Sequence, residues 1–360
     1  MLRLDAIQVL RALAAAMIVV HHGQADAEML GLASSPLLAP LERVQWTAGV
    51  DIFFVISGFI MVHASRDLFG RARAGRTFLV SRITRIVPLY WAATSLFCCA
   101  LLLAPNILNT EAPTLSQIVA SYLFWPVQRA DGLIQPIFSL GWTLNYEMFF
   151  YVLFALAIGM PRHRAVISVV GAIVACVALG AVFTLPVAPT FWTRPIILEF
   201  AFGVSIGVAR YRSWRLPDAA RLSLVAIALL WLAAGPFAPQ TQTEWYVLAN
   251  NGVPAVCLVA AAALGQPRQR PEGAAQRLMV LLGDASYALY LSHPFVIRAL
   301  LQFLVVAGIA TGFGYWAFVG LCVLLAALLS VLIHLYFERP VTRQTRSLIG
   351  QQAGSYPRTS

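Results

Sequence analysis

Lysine is absent from this chain of 360 residues, and charge of either sign is scarce. It has 25 basic residues, all arginine, and 15 acidic ones, together 11% of the sequence. A soluble domain carries about 25% charged residues. That shortfall, with 60% hydrophobic residues, excludes an ordinary soluble protein and points to an integral membrane protein. The net charge of +10 superficially suits nucleic acid. The arginines cluster in short loops between apolar runs, however, which is the signature of membrane orientation and not of a DNA-binding face. No nucleic-acid partner is expected. The five cysteines (Cys98, Cys99, Cys176, Cys257 and Cys322) lie within apolar runs. None has metal-ligand spacing with a histidine, and the vicinal Cys98 and Cys99 cannot clasp a distant segment, so they are read as small core hydrophobes and no metal is expected. Phosphate-binding loops of the Walker type, HExxH and GxSxG are also missing.

What the chain does have is apolar runs of membrane-spanning length, about ten of them. They cover 6–22, 49–65, 86–104, 142–160, 165–183, 195–209, 222–237, 251–265, 283–306 and 315–337. With the N-terminus inside, Arg3, the cluster from Arg66 to Arg85, Arg162 and Arg164, Arg210 to Arg221, Arg268 to Arg277, and Arg339 to Arg358 all fall on the cytoplasmic side. Only Arg43, Arg129 and Arg194 fall in outer loops. This asymmetry predicts an all-α polytopic protein with both termini cytoplasmic. Residues 1–343 form one membrane domain, without internal repeats, and 344–360 a polar, disordered tail. Arg3, the first apolar run and Ala25-Asp26-Ala27 imitate a signal peptide. Arg11 interrupts that run, and the segment is read as a retained first span.

Arg11 and His22 share this first span. On a helix they stand about three turns and about 16 Å apart, with an angular offset of only about 20°, hence on one face. A cation and an imidazole aligned inside a span are expensive to bury and mark a functional site; the bland alternative is a snorkelling arginine and an interfacial histidine. The topology sorts the other ionisable residues by depth. His22, Asp51, Glu147, Glu199 and Arg298 gather in the outer leaflet, while Arg11, Arg82, Arg85, His334 and Glu338 lie near the cytoplasmic face. The outer group has the parts of a general base and an orienting carboxylate. The inner arginines suit the phosphates of a nucleotide-like donor. The competing reading is structural: Arg298 pairs with Glu199, and Asp51 caps its helix.

Several signals carry less. His21 and His22 point about 100° apart and make a poor metal pair. The His21/His22–Asp26 spacing imitates soluble acyltransferase signatures by chance, though Asp26 can still cap or orient His22. His163 reads as a solvated loop residue. The loops 23–48 and 105–141, rich in proline and aromatics, are the natural meeting place for an extracytoplasmic substrate.

The stretches that carry a family likeness run nearly end to end. They are Ile7-Gln-Val-Leu-Arg-Ala-Leu-Ala with His22, Gly49-Val-Asp-Ile-Phe-Phe-Val-Ile-Ser-Gly-Phe-Ile60, and Phe78-Leu-Val-Ser-Arg-Ile-Thr-Arg-Ile-Val-Pro-Leu-Tyr-Trp91. Beyond these come Ser139-Leu-Gly-Trp-Thr-Leu-Asn-Tyr-Glu-Met-Phe-Phe-Tyr151, Gly283-Asp-Ala-Ser-Tyr-Ala-Leu-Tyr-Leu-Ser-His-Pro294 and Phe337-Glu-Arg-Pro340. In this order and spacing the chain resembles the acyltransferase 3 family of bacterial membrane O-acyltransferases, in particular its exopolysaccharide-acetylating branch.

The resemblance implies a ten-span fold in the bacterial inner membrane. It further implies transfer of an acetyl group from cytosolic acetyl-CoA, a substrate and not a bound cofactor, to a hydroxyl of an exopolysaccharide or its lipid-linked precursor. The family's Arg-x10-His pattern falls on Arg11 and His22, its Arg-x-x-Arg pattern on Arg82 and Arg85, and its glutamate in the fourth span on Glu147. His22, Glu147, Arg11 and Asp51 are then the expected catalytic group. Arg82, Arg85, Trp142, Tyr146 and His293 are the expected substrate-binding residues. Unlike fused relatives, the chain shows no C-terminal esterase-like domain and is expected to act without a second acyl-transfer site. The bilayer, acyl-CoA and a glycan acceptor are the expected partners, with a homo-oligomer or polysaccharide-biosynthesis proteins beside them. A transporter or flippase for a glycan or lipid-linked oligosaccharide fits the same depth pattern and is the competing function.

Overall fold

The computed structural model describes residues 4–103, 113–234, 243–266, 273–309 and 312–352. Arg3, Arg268, Arg270 and Arg358, part of the predicted 105–141 loop and the tail end 353–360 lie outside the described residues. Among those described there is no strand beyond one isolated antiparallel bridge between Gln128 and Ile134. In chain order the helices are α1 (Asp5–Met29), α2 (Ala48–Ala64), α3 (Ala74–Leu103), α4 (Leu115–Tyr122), α5 (Gly141–Ala157), α6 (Arg162–Val182) and α7 (Val187–Trp192). They continue with α8 (Leu198–Tyr211), α9 (Asp218–Ala234), α10 (Glu244–Ala263), α11 (Ala274–Asp284), α12 (Ser286–Val306), α13 (Tyr315–Ile333) and α14 (Arg339–Gln352).

Each predicted apolar run carries helix. Six helical stretches are long and apolar enough to cross a membrane: Asp5–Met29, Ala74–Leu103, Arg162–Val182, Glu244–Ala263, Ser286–Val306 and Tyr315–Thr345. The helix Ala48–Ala64 is apolar but shorter.

Some boundaries differ from the sequence reading. α1 does not stop at His22 but continues to Met29, because the next residues supply alanines and no proline. The run predicted from Gly283 is broken at Ala285, which closes α11 and opens α12; Gly283 and Asp284, both poor helix formers, precede the break. α10 begins earlier than predicted, at Glu244, and contains a π-turn at Leu248–Gly252. Residues 344–352, expected in the tail, belong to α14. His163 lies in the first turn of α6, exposed, and not in a loop.

The chain divides into two compact units. The first comprises Met1–Asp67, Val169–Phe183 and Thr193–Val331. One of its cores joins Ala15 and Val19 of α1 to Leu289, Ile297 and Leu301 of α12 and Phe318 and Cys322 of α13. The other joins Ile7, Leu10 and Ala14 of α1 to Ile52, Val55 and Phe59 of α2, Ile206 of α8 and Val259 of α10. Lipid tails are as apolar as leucine, so close backbone approach must hold such helices together. At Gly203 of α8 a Cβ would sit 2.0 Å from the Val55 carbonyl oxygen of α2. At Gly283 a Cβ would sit 2.1 Å from the Gln8 carbonyl oxygen of α1. Neither helix pair would close with a larger residue there.

The second unit comprises Leu68–Ser168, Thr184–Trp192 and Leu332–Ser360. α4 opens with a capping box in which Thr114 and Gln117 satisfy each other's backbone N–H groups. It is pinned to α3 by Tyr90 Oη donating to the Ser121 carbonyl (3.1 Å) and by Trp91 Nε1 donating to the Tyr122 carbonyl (2.9 Å). Phe78 of α3 packs with Tyr151 and Phe154 of α5, so α3 presents Arg82 and α5 presents Glu147 from the same packed helix pair.

Candidate functional site

In the first unit, α1 places Arg11 and His22 on one face, as their spacing requires. Arg11 donates to Gln8 Oε1 at 3.3 Å, one turn before it. His22 is half-buried and lies in a histidine cluster. Its ring centroid is 5.1 Å from that of His21 and 5.2 Å from that of His293 on α12. His293 is fully buried. Its Nδ1 lies 3.2 Å from the Leu289 carbonyl oxygen, and its Nε2 has no hydrogen-bond partner among the described residues. Four residues beyond His22 on α1 and five beyond His293 on α12, Asp26 pairs with Arg298 at 3.8 Å. That contact answers the sequence alternative: Arg298 is matched with Asp26 and not with Glu199.

Asp51 and Glu199 find each other. Asp51 is 3% exposed and Glu199 0%, and their carboxyl groups lie side by side, with Asn251 of α10 beside Asp51. Asn251 Nδ2 bonds Thr47 Oγ1 as well (3.3 Å). Neither Glu199 oxygen receives an N–H or O–H from another group among the described residues. Two carboxyl groups side by side in a buried place cannot both carry charge. Asp51, with Glu147 one of the two carboxylates expected to orient His22, stands between α2, α8 and the π-turn of α10, beside Glu199 and Asn251.

In the second unit, Glu147 accepts a short hydrogen bond from Tyr151 Oη, one turn further along α5. Arg82 and Arg85 of α3 lie within electrostatic reach of Tyr151, and Arg82 is also stacked over the Phe78 ring at 5.7 Å. Arg82, Arg85, Glu147 and Tyr151 therefore form one polar group. Trp142 and Tyr146 form another surface with residues the sequence reading did not single out. Trp142 meets Tyr146 edge-on (5.9 Å), and Tyr146 stacks on Phe191 (4.1 Å). Trp192 stacks on Phe149 (5.0 Å) and takes Trp125 edge-on (5.0 Å). The signal for Phe191 and Trp192 was the aromatic pair in the short loop before Pro195, at the outer end of the predicted sixth span. Asn145, between Leu144 and Tyr146, is 1% exposed, and no hydrogen-bond partner reaches either end of its amide among the described residues.

The cysteines are unpaired, and Cys99 is exposed, not part of a core. No group of three or more His, Cys, Asp or Glu side chains placed to hold a metal occurs among the described residues.

Helices throughout the described residues, six of them long and apolar enough to cross a membrane, define the framework of a multi-pass membrane protein, with an imidazole on an arginine-bearing helix face in one unit and an arginine–carboxylate group in the other. Residues 4–335 match the profile of the acyltransferase 3 family, described as an acyltransferase domain. The chain belongs to this family. It is 37% identical over 310 residues to the exopolysaccharide production protein ExoZ of Rhizobium meliloti (strain 1021), covering 83% of this chain and 90% of that protein. It is 28% identical to the acyltransferase MdmB of Streptomyces mycarofaciens, covering 69% and 67% of the two chains. It is also 25% identical to nodulation protein 10 of Rhizobium leguminosarum bv. viciae, covering 70% and 72%. No solved structure matches.

Proposed function

We propose that this membrane acyltransferase moves an acetyl group from cytosolic acetyl-CoA to a hydroxyl of an exopolysaccharide or its lipid-linked precursor. The observation that carries this reading is His22. It is a half-buried imidazole on the Arg11 face of α1, against a second, fully buried histidine, in a chain of an acyltransferase family. The likeness to an exopolysaccharide production protein over most of both chains favours a glycan acceptor. The arginine asymmetry of the loops favours ten spans with both termini in the cytoplasm of a bacterial cell, hence the inner membrane. Assembly with further copies or with polysaccharide-biosynthesis proteins fits that setting.

In this mechanism Arg82 and Arg85 hold the phosphates of the donor, since guanidinium groups match phosphate oxygens in charge and in fork geometry. Arg11 helps steer the thioester toward His22. His22 takes the proton of the acceptor hydroxyl as its oxygen attacks the acyl carbon. As the carbon–sulfur bond breaks, the imidazolium returns that proton to the leaving thiolate. Transient acylation of His22 itself is the variant of the same scheme. Glu147, tied to Tyr151, is the carboxylate next to the donor arginines, and the aromatic surface around Trp142 and Tyr146 suits the apolar face of a sugar ring.

The test is transfer of label from radiolabelled acetyl-CoA to a crude glycan acceptor by purified protein in vesicles, comparing wild type with His22→Ala. Label on the glycan in wild type alone supports the reading. Equal transfer by both proteins removes His22 from the chemistry and keeps the enzyme class. No donor turnover by either protein across a panel of acceptors brings the transporter forward.

A further inference from the structure

We propose that His293 is the positioning partner of His22, its Nε2 accepting the His22 N–H and so fixing which nitrogen of His22 faces the acceptor hydroxyl. This rests on the reading of His22 as the base. The argument begins with the dipeptide His293-Pro294 inside α12. Proline has no N–H, so the Tyr290 carbonyl, four residues earlier, loses its helical donor. The His293 ring covers that gap. Its Nδ1 side faces the Leu289 carbonyl at 3.2 Å and the Tyr290 carbonyl beside it. Carbonyl oxygens only accept, so Nδ1 carries the hydrogen and Nε2 is left with a lone pair.

That lone pair is fully buried and without a partner among the described residues, an arrangement that native interiors seldom leave unexplained. The His22 ring lies beside that of His293, at 5.2 Å between centroids and 34° between planes. The contact we infer requires the half-buried His22 ring to turn an N–H toward Nε2, to within about 3 Å. The other nearby ring, Tyr290 at 6.2 Å, belongs to the same helix, and His21 faces away from the packed interior on the exposed side of α1.

A neutral acceptor can do here what a carboxylate does in a catalytic triad. It selects one tautomer of the base and steadies the imidazolium, at less desolvation cost than a buried anion. The proton count is unchanged. The hydroxyl proton goes to the free nitrogen of His22 and from there to the thiolate, while the N–H shared with His293 stays on His22 throughout.

Two variants separate this role from a structural one. His293→Asn keeps an amide N–H for the carbonyls freed by Pro294 but has no acceptor where Nε2 stood. His293→Gln extends a carbonyl oxygen toward the Nε2 position. In the vesicle assay, kcat of His293→Asn is expected to fall about 10- to 100-fold with KM for donor and acceptor little changed, and His293→Gln to recover part of that loss. Wild-type kcat in His293→Asn, equal losses in both variants, or a loss confined to KM overturns the inference. A measurement on the wild type needs no variant to fold: histidine-labelled protein in nanodiscs, read by ¹⁵N NMR. The expected spectrum has His293 protonated at Nδ1 with Nε2 hydrogen-bonded as acceptor, and an Nε2-protonated His293 overturns the inference. His22→Ala in the same series keeps the two readings apart. If it is fully active, the base assignment fails; if it is silent while His293→Asn behaves as wild type, only the role of His293 fails.

Discussion

The carboxyl group of Asp51 on α2 lies beside that of Glu199 on α8, and both are buried. A pair of this kind tolerates a neutral hydrogen-bonding replacement but not loss of one member, because the survivor is left buried without a partner. Glu199→Gln is therefore expected to melt close to wild type in detergent and to keep transfer activity. Glu199→Ala is expected to lose about 1–3 kcal/mol, seen as a lower thermal midpoint. Equal midpoints for the two variants would mean that the carboxyl pair contributes nothing to α2–α8 packing.

This relationship also marks where sequence reasoning stops. The alignment of Arg11 with His22 is legible because both lie on one helix and the helical period fixes their faces. The helical class is legible too, since composition and run length leave no room for strands. The partners of Asp51, Glu199 and Arg298 are not, because nothing in a linear sequence says which helix lies against which. Depth alone grouped all three in the outer leaflet and left the Glu199–Arg298 pair open, while packing matched Glu199 with Asp51 and Arg298 with Asp26. The break at Ala285 was hidden for a different reason. Gly283-Asp284 interrupts the apolar run too briefly to register, and its meaning comes from the close approach of Gly283 to the Gln8 backbone.

A close backbone approach of the same kind, at Gly203, gives a second prediction. Gly203→Val puts side-chain atoms into the α2 backbone near Val55, in a contact with no flexible neighbour to yield. Overpacking of this sort costs about 1–3 kcal/mol or more. Reduced yield of monodisperse protein and a lowered melting point are expected, whereas Gly159→Ala, where a Cβ meets nothing within 4 Å, is the neutral control.

Arg82 and Arg85 should act on the donor and not on the acceptor. Replacing either with alanine removes a charge-assisted contact worth about 1.5–3 kcal/mol, which corresponds to about a tenfold to hundredfold rise in KM for acetyl-CoA. KM for the glycan should stay near wild type. Lysine in either place restores charge without the planar fork and should recover only part of the affinity. A donor lacking the 3′-phosphate separates contacts to that group from contacts to the pyrophosphate; an unchanged KM for acetyl-CoA in both alanine variants would remove these arginines from the donor site.

The aromatic surface of the second unit should act on the opposite substrate. Trp142 is half-buried and edge-on to Tyr146, itself stacked on Phe191, so the indole is held in place by neighbours that the variant leaves intact. Stacking of this type is worth about 0.5–1.5 kcal/mol beyond the area it buries. Trp142→Ala should therefore raise the acceptor KM about two- to tenfold, leave the donor KM alone and keep kcat at saturating glycan. Trp142→Phe should retain most of the affinity. If Trp142→Ala instead lowers kcat with both KM values unchanged, the ring serves the geometry of the chemical step and the glycan-facing surface must be sought elsewhere, with Trp125 and Trp192 the next positions to replace.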